Sequence, residues 1–143
     1  MLEELRSCYE AAEDFTSKNE CVGMVSAKCQ DVEEGGYSTL GMSSCNNDEY
    51  QAWDVLLNEE YKKTISAFEE WDKDEAEYFP EYARRVETLR AAQRAWIAFR
   101  DAQCELDYAI WGSGSMRHIM GTACYLDMAA ERTIELWAMR TSY

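Results

Sequence analysis

The feature that most constrains this chain is the run from Leu89 to Cys104, a helical stripe that mixes polar with apolar side chains. Leu89, Gln93, Trp96, Arg100 and Cys104 recur at three- and four-residue spacing and so share one side of an α-helix. An ordinary core stripe is apolar along such a line. A guanidinium placed there needs an acid to meet it, because an unpaired buried charge is costly. A cysteine on the same line suggests a covalent staple. The run therefore predicts a helix packed among other helices through a polar network and a disulfide.

The rest of the chain supplies those neighbours. Leu2, Leu5, Cys8, Ala12 and Phe15 share one side of a first helix, Leu2 to Phe15. Cys21 to Cys45 lacks sustained periodicity and contains Gly35-Gly36, so a disulfide-held loop with one short helical turn is expected there. Ser44, Asn46, Asn47 and Asp48 are N-cap candidates for a second helix carrying the stripe Tyr50, Trp53, Leu57, Tyr61, Ile65 and Phe68. That helix fades through Trp71 to Glu75, and Pro80 suits the first turn of a third helix running to about Trp111. Gly112-Ser113-Gly114-Ser115 breaks the pattern, and a fourth helix follows from about Met116 to Arg140. The fourth helix is apolar on two sides, as a helix between bundle neighbours should be. No strand pattern competes. The expected fold is all-α: a bundle of about four helices with a long antiparallel hairpin and a disulfide-stapled N-terminal loop region. Residues 1–143 read as a single domain, with 1–45 a disulfide-rich elaboration and 46–140 the helical core.

Six cysteines, at 8, 21, 29, 45, 104 and 124, accompany a single histidine, His118. No C-x-x-C pair is present, so a zinc site is not expected, and an even, widely spaced set points to three disulfides in an oxidising compartment. Cys104 and Cys124 lie nearly equidistant from the glycine–serine turn, so an antiparallel hairpin brings them level. For the other four, the expected pairs are Cys8 with Cys21 and Cys29 with Cys45. The net charge of −14 disfavours a nucleic-acid partner; it either serves solubility alone or attracts a basic protein. No apolar window reaches the roughly 20 residues of a membrane span. The first six residues lack the basic-then-apolar order of a secretory leader, as would a chain starting at its mature end.

Trp53-Asp54-x-x-Leu57-Asn58-x-x-Tyr61, then Leu89-x-x-x-Gln93-x-x-Trp96-x-x-x-Arg100-Asp101-x-x-Cys104, then Gly112-Ser113 and Cys124 with Arg132, resemble the LprI-like family. Thr39-x-x-Met42-x-x-Cys45 fits that family's lead-in to its long helix, and the resemblance spans about Thr39 to Leu136. The family comprises small secreted bacterial domains, and a mycobacterial lipoprotein member is described as a lysozyme inhibitor. The resemblance implies a helical fold and a periplasmic or secreted location. Cys8 and the Cys21–Cys29 segment go beyond the shorter family pattern.

Asp54, Asn58, Gln93, Arg100 and Arg132 are read as a structural network, with Asp54 meeting the two arginines. They lack a histidine for acid–base work, so no catalytic set is expected. Glu59-Glu60 and Glu69-Glu70 point apart on a helix and form a solvated face rather than a glycosidase pair. Ser113 and Ser115 match neither a nucleophile elbow nor a phosphate loop. No cofactor or metal is expected. Trp111, Ser113, Arg117 and His118, around the turn, are the candidate partner-binding residues, since loops on rigid scaffolds carry recognition. The expected function is an extracytoplasmic protein-binding domain, with lysozyme inhibition as the candidate role. The alternative is a structural or accessory cell-envelope protein.

Overall fold

The computed structural model describes residues 1–142 and contains six α-helices and one 3-10 turn among them: α1 (Leu2–Ala11), α2 (Phe15–Asn19), α3 (Met24–Val32), α4 (Thr39–Ala76), the turn Pro80–Tyr82, α5 (Arg85–Ile110) and α6 (Met116–Thr141). The long helices α4, α5 and α6 form the bundle. α6 lies along α4, α5 flanks α6, α1 and α3 cover the first half of α4, and α2 packs on α6. At 38 residues α4 is about 57 Å long, so it outruns its N-terminal cover and leaves one end of the bundle bare.

The main core fills the covered half. Leu5, Val25, Trp53, Leu56, Leu126 and Ile134 are buried together there, with the Tyr9 ring edge-on to Trp53 at 5.8 Å. A smaller cluster of Leu57, Leu89 and Leu136 continues towards the bare end. The disulfides Cys8–Cys21, Cys29–Cys45 and Cys104–Cys124 have Cα separations of 6.0, 5.7 and 5.4 Å. All three serve the covered half, for Ser43 and Asn47 of α4 line the same groove as Cys104.

The segment expected as a loop is largely helical. α3 occupies Met24–Val32, and α4 begins at Thr39, ahead of every expected N-cap. Ser38 is the actual cap, its hydroxyl accepting from the Gly41 amide at 3.0 Å. The polar cluster Ser44–Asp48 tolerates a helix interior because tertiary partners meet it. Asn46 Oδ1 accepts from Ser26 Oγ at 2.7 Å, and Asn46 Nδ2 donates to Thr122 Oγ1 at 3.4 Å. Gly36 and Gly41 make the turn possible, since a Cβ at either would strike the backbone of Gln30 or Gly35. The first helix also stops earlier than expected, at Ala11, and α2 restarts at Phe15 behind an Asp14 cap that accepts from Ser17 N at 2.7 Å. Pro80 opens the 3-10 turn rather than α5, which starts at Arg85.

Candidate functional site

Two carboxylates on α4 organise the molecule, and each caps another helix. Glu49 is fully buried. Its Oε1 accepts from Ser26 N at 2.8 Å, and its Oε2 accepts from Gly23 N at 2.8 Å and from Trp53 Nε1 at 2.9 Å. The free amides at the start of α3 thus gain a negative partner at the positive end of that helix. Asp72 does the same for α5: Oδ1 accepts from Arg85 N at 3.1 Å and Oδ2 from Val86 N at 3.0 Å. Burial works against the Asp72 carboxylate, but the Val86 and Arg85 amides and the Arg85 guanidinium hold it below the usual carboxylate range.

A third ionic cluster lies where α1, α2, α4 and α6 meet. Lys18, 4% exposed, donates from Nζ to the carbonyls of Tyr9 at 2.7 Å and Ala12 at 2.9 Å. The same ammonium sits 3.8 Å from the Tyr9 ring centroid and 4.7 Å from that of Trp137. Burial lowers its pKa, with Glu60 opposing. Glu60, expected on a solvated face, is instead buried and pairs with Arg140, whose Nη1 also donates to Thr64 Oγ1 at 3.0 Å. The cluster locks helices together: the Lys18 ammonium is already committed to two carbonyls and two rings.

The expected Asp54–Arg100–Arg132 link is not made. Arg132 Nε donates to Gln93 Oε1 at 2.9 Å and its Nη1 to Glu135 at 3.1 Å. Arg100 instead pairs with its neighbour Asp101 at 2.9 Å, between the rings of Trp96 (5.3 Å) and Tyr125 (5.5 Å). Asp54 follows Trp53 by one residue and is therefore turned about 100° away from the core. It is half-buried, and Asn58 is exposed, its amide donating only to the Asp54 carbonyl at 3.0 Å. Asp54, Asn58, Gln93 and Arg100 do line one groove of about 280 Å³ between α4 and α5, beside Arg90 and Arg94.

The glycine–serine turn projects from the covered end. Gly112 has φ +55° and open space where a Cβ would lie, and Trp111 is exposed. Arg117 is spent on the turn itself: Nη1 donates to the carbonyls of Ser113 at 2.8 Å and Gly114 at 3.0 Å, and Nε donates to Tyr108 Oη at 3.1 Å. The His118 ring packs edge-on to Tyr108 at 5.7 Å, and both border a groove of about 540 Å³ floored by Cys104.

The bare end carries a surface that lies outside the residues predicted from sequence to bind a partner. Between Glu69 and Tyr82 there are seven carboxylates and one lysine. Glu69, Glu70, Asp74, Glu77 and Glu81 are exposed, alongside Tyr78 at 75%, Phe79 at 53% and Tyr82 at 66%. Aromatic rings standing in solvent among like charges are the unusual observation. Its signal in the sequence is a run of acids interleaved with Trp71, Tyr78, Phe79 and Tyr82, which no helical period organises. Among the described residues, no group of three or more His, Cys, Asp or Glu side chains is placed to hold a metal ion, and no helix is long and apolar enough to cross a membrane.

The family described as lysozyme inhibitor LprI matches residues 29–136. An uncharacterized protein of Rhizobium meliloti (strain 1021) is 35% identical over 99 residues, which is 69% of this chain and 71% of that protein. No solved structure matches the chain significantly. The chain belongs to the LprI family.

Proposed function

We propose that this LprI-family protein is an extracytoplasmic protein-binding domain that docks on a basic protein, with a lysozyme as the first candidate. One observation carries the reading: the acidic, aromatic bend at the bare end of the bundle. Its carboxylates attract a cationic surface, and Tyr78, Phe79 and Tyr82 supply the aromatic anchors that dominate binding energy at interfaces. The family description and the three disulfides are consistent with this role and location. The glycine–serine tip is the smaller docking edge, where Trp111, Ser113 and His118 make contact and Arg117 holds the turn in shape.

The test is lysis of a cell-wall substrate by lysozyme in the presence of the oxidised protein. Inhibition is expected, weakening from low to physiological salt as exposed charges are screened. The triple variant Asp74→Lys/Glu77→Lys/Glu81→Lys should lose it at least tenfold, which is about 1.4 kcal/mol, while melting as the parent does. Full inhibition by that variant would remove the bend from the docking surface. Failure against several lysozyme types at roughly tens of micromolar protein, about −6 kcal/mol of affinity, would favour an accessory envelope role.

A further inference from the structure

The groove between α4 and α5 is lined by donors that the fold leaves without acceptors. Arg90, Gln93, Arg94 and Ile97 fall on one side of α5 at helical spacing, and Asp54, Leu57 and Tyr61 line the groove from α4. Its volume of about 280 Å³ is near the lower end for small-molecule clefts, roughly 300–1,000 Å³.

Gln93 is the key to it. The residue is 7% exposed, so burial fixes its amide. Its Oε1 accepts from Arg132 Nε at 2.9 Å. A guanidinium only donates, so the oxygen has to face Arg132, and the NH2 group is left to the groove that Gln93 lines. Among the described residues that NH2 group has no acceptor. A donor held this way costs free energy unless a ligand or water meets it. Arg90 and Arg94 stand one turn apart beside Gln93, both exposed. Neither forms an ion pair among the described residues, although the chain has 28 acidic and 14 basic side chains. Glu87, the acid one turn before Arg90, is paired with Arg84, and Arg100 with Asp101. The remaining lining is apolar: buried Leu57, half-buried Tyr61, and Ile97 at 42% exposure.

We propose that this groove binds a small organic carboxylate with an apolar body. The Arg90 and Arg94 guanidinium forks and the Gln93 NH2 group donate to the carboxylate oxygens. Leu57, Tyr61 and Ile97 take the aliphatic part. Asp54, in the same lining, repels a second negative charge on the ligand and so favours a monoanion over a phosphate dianion. A basic protein of the kind proposed above is repelled by these arginines, so the site stands apart from that docking surface.

The probe is hexanoate, titrated into the oxidised, ¹⁵N-labelled full chain and followed at the Gln93 side-chain amide and the backbone amides of the groove. Saturable shifts confined to the groove are expected, with a Kd of about 1 mM, the reach of so small a ligand. 1-Hexanol, which has the body without the charge, and inorganic phosphate, which has charge without the body, should each bind about tenfold more weakly. Gln93→Glu keeps an oxygen for Arg132 but puts a second oxygen where the N–H groups pointed. Arg90→Gln/Arg94→Gln removes two charges at exposed positions. Each variant should weaken hexanoate binding about tenfold, the loss of a charge-assisted hydrogen bond, while melting as the parent does. Should Gln93→Glu melt early, the arginine pair alone decides. No saturable shift by about 10 mM hexanoate overturns the proposal, as does undiminished binding to the arginine variant or to a stable Gln93→Glu. Phosphate binding as tightly as hexanoate overturns the carboxylate assignment, and 1-hexanol doing so overturns the role of the arginines.

Discussion

The two ends of the bundle use the same device with opposite consequences. At the covered end, Glu49 reaches from α4 to cap α3 in full burial, donating Trp53 included, and three disulfides tie the surrounding segments. At the bare end, Asp72 reaches from the same helix to cap α5, but its side chain is 15% exposed rather than sealed, and no disulfide supports it. Burial decides what each carboxylate is worth. The sealed end holds the fold, and the lightly held end leaves its charges and rings in water, where a partner can reach them.

The contrast breaks most sharply at Glu49. Glu49→Ala leaves the Gly23 and Ser26 amides and the Trp53 indole without an acceptor in the core, and should cost about 3–5 kcal/mol in urea unfolding. A loss under about 1 kcal/mol, the size of an exposed cap, would mean that water replaces the carboxylate and that the covered end is not sealed. Next comes the staple between α5 and α6. Cys104→Ala/Cys124→Ala opens a loop closed over 20 residues and should cost about 3 kcal/mol by the chain-entropy argument. Most of that loss should appear as faster amide exchange around the glycine–serine turn, with the Arg85–Val86 end unaffected.

The smallest effect belongs to the bare end. Asp72→Ala should cost about 1 kcal/mol, as for a surface helix cap, and should speed exchange of the Arg85 and Val86 amides alone. Acid should imitate that substitution in the parent protein. The Asp72 pKa is depressed in the folded state, so its contribution is fully present above the unfolded value, about 3.9, and is lost as pH falls below that through the folded value. Opening of the α5 start below about pH 4, ahead of global unfolding, is the expected exchange pattern. Simultaneous loss at both ends would erase the distinction between them.

Much of the architecture was legible in the residues. The helical periods of α4, α5 and α6, the glycine–serine break and the cysteine positions are local signals, and they prescribe a disulfide-tied helical hairpin. The polar network was only half legible. An arginine on an apolar side announces a need for partners, yet Arg100 met it with two aromatic rings and its own neighbour, and Arg132 with Gln93.

The sequence by itself determined which segments are helical over the long elements, where the hairpin turns, and the strongly acidic character of the surface. These follow from interactions between residues a few positions apart, or from composition alone. Only the tertiary structure decided that Met24–Val32 would be a helix, that α4 would begin at Thr39, and that Glu49 and Asp72 would cap helices far along the chain. The α3 helix and the two carboxylate caps depend on a group more than ten residues away replacing water at a helix end, and the early start of α4 depends on Ser26 and Thr122 meeting Asn46 inside it. A polar residue's fate is set by the partner it meets in space, and that partner has no fixed spacing in the chain.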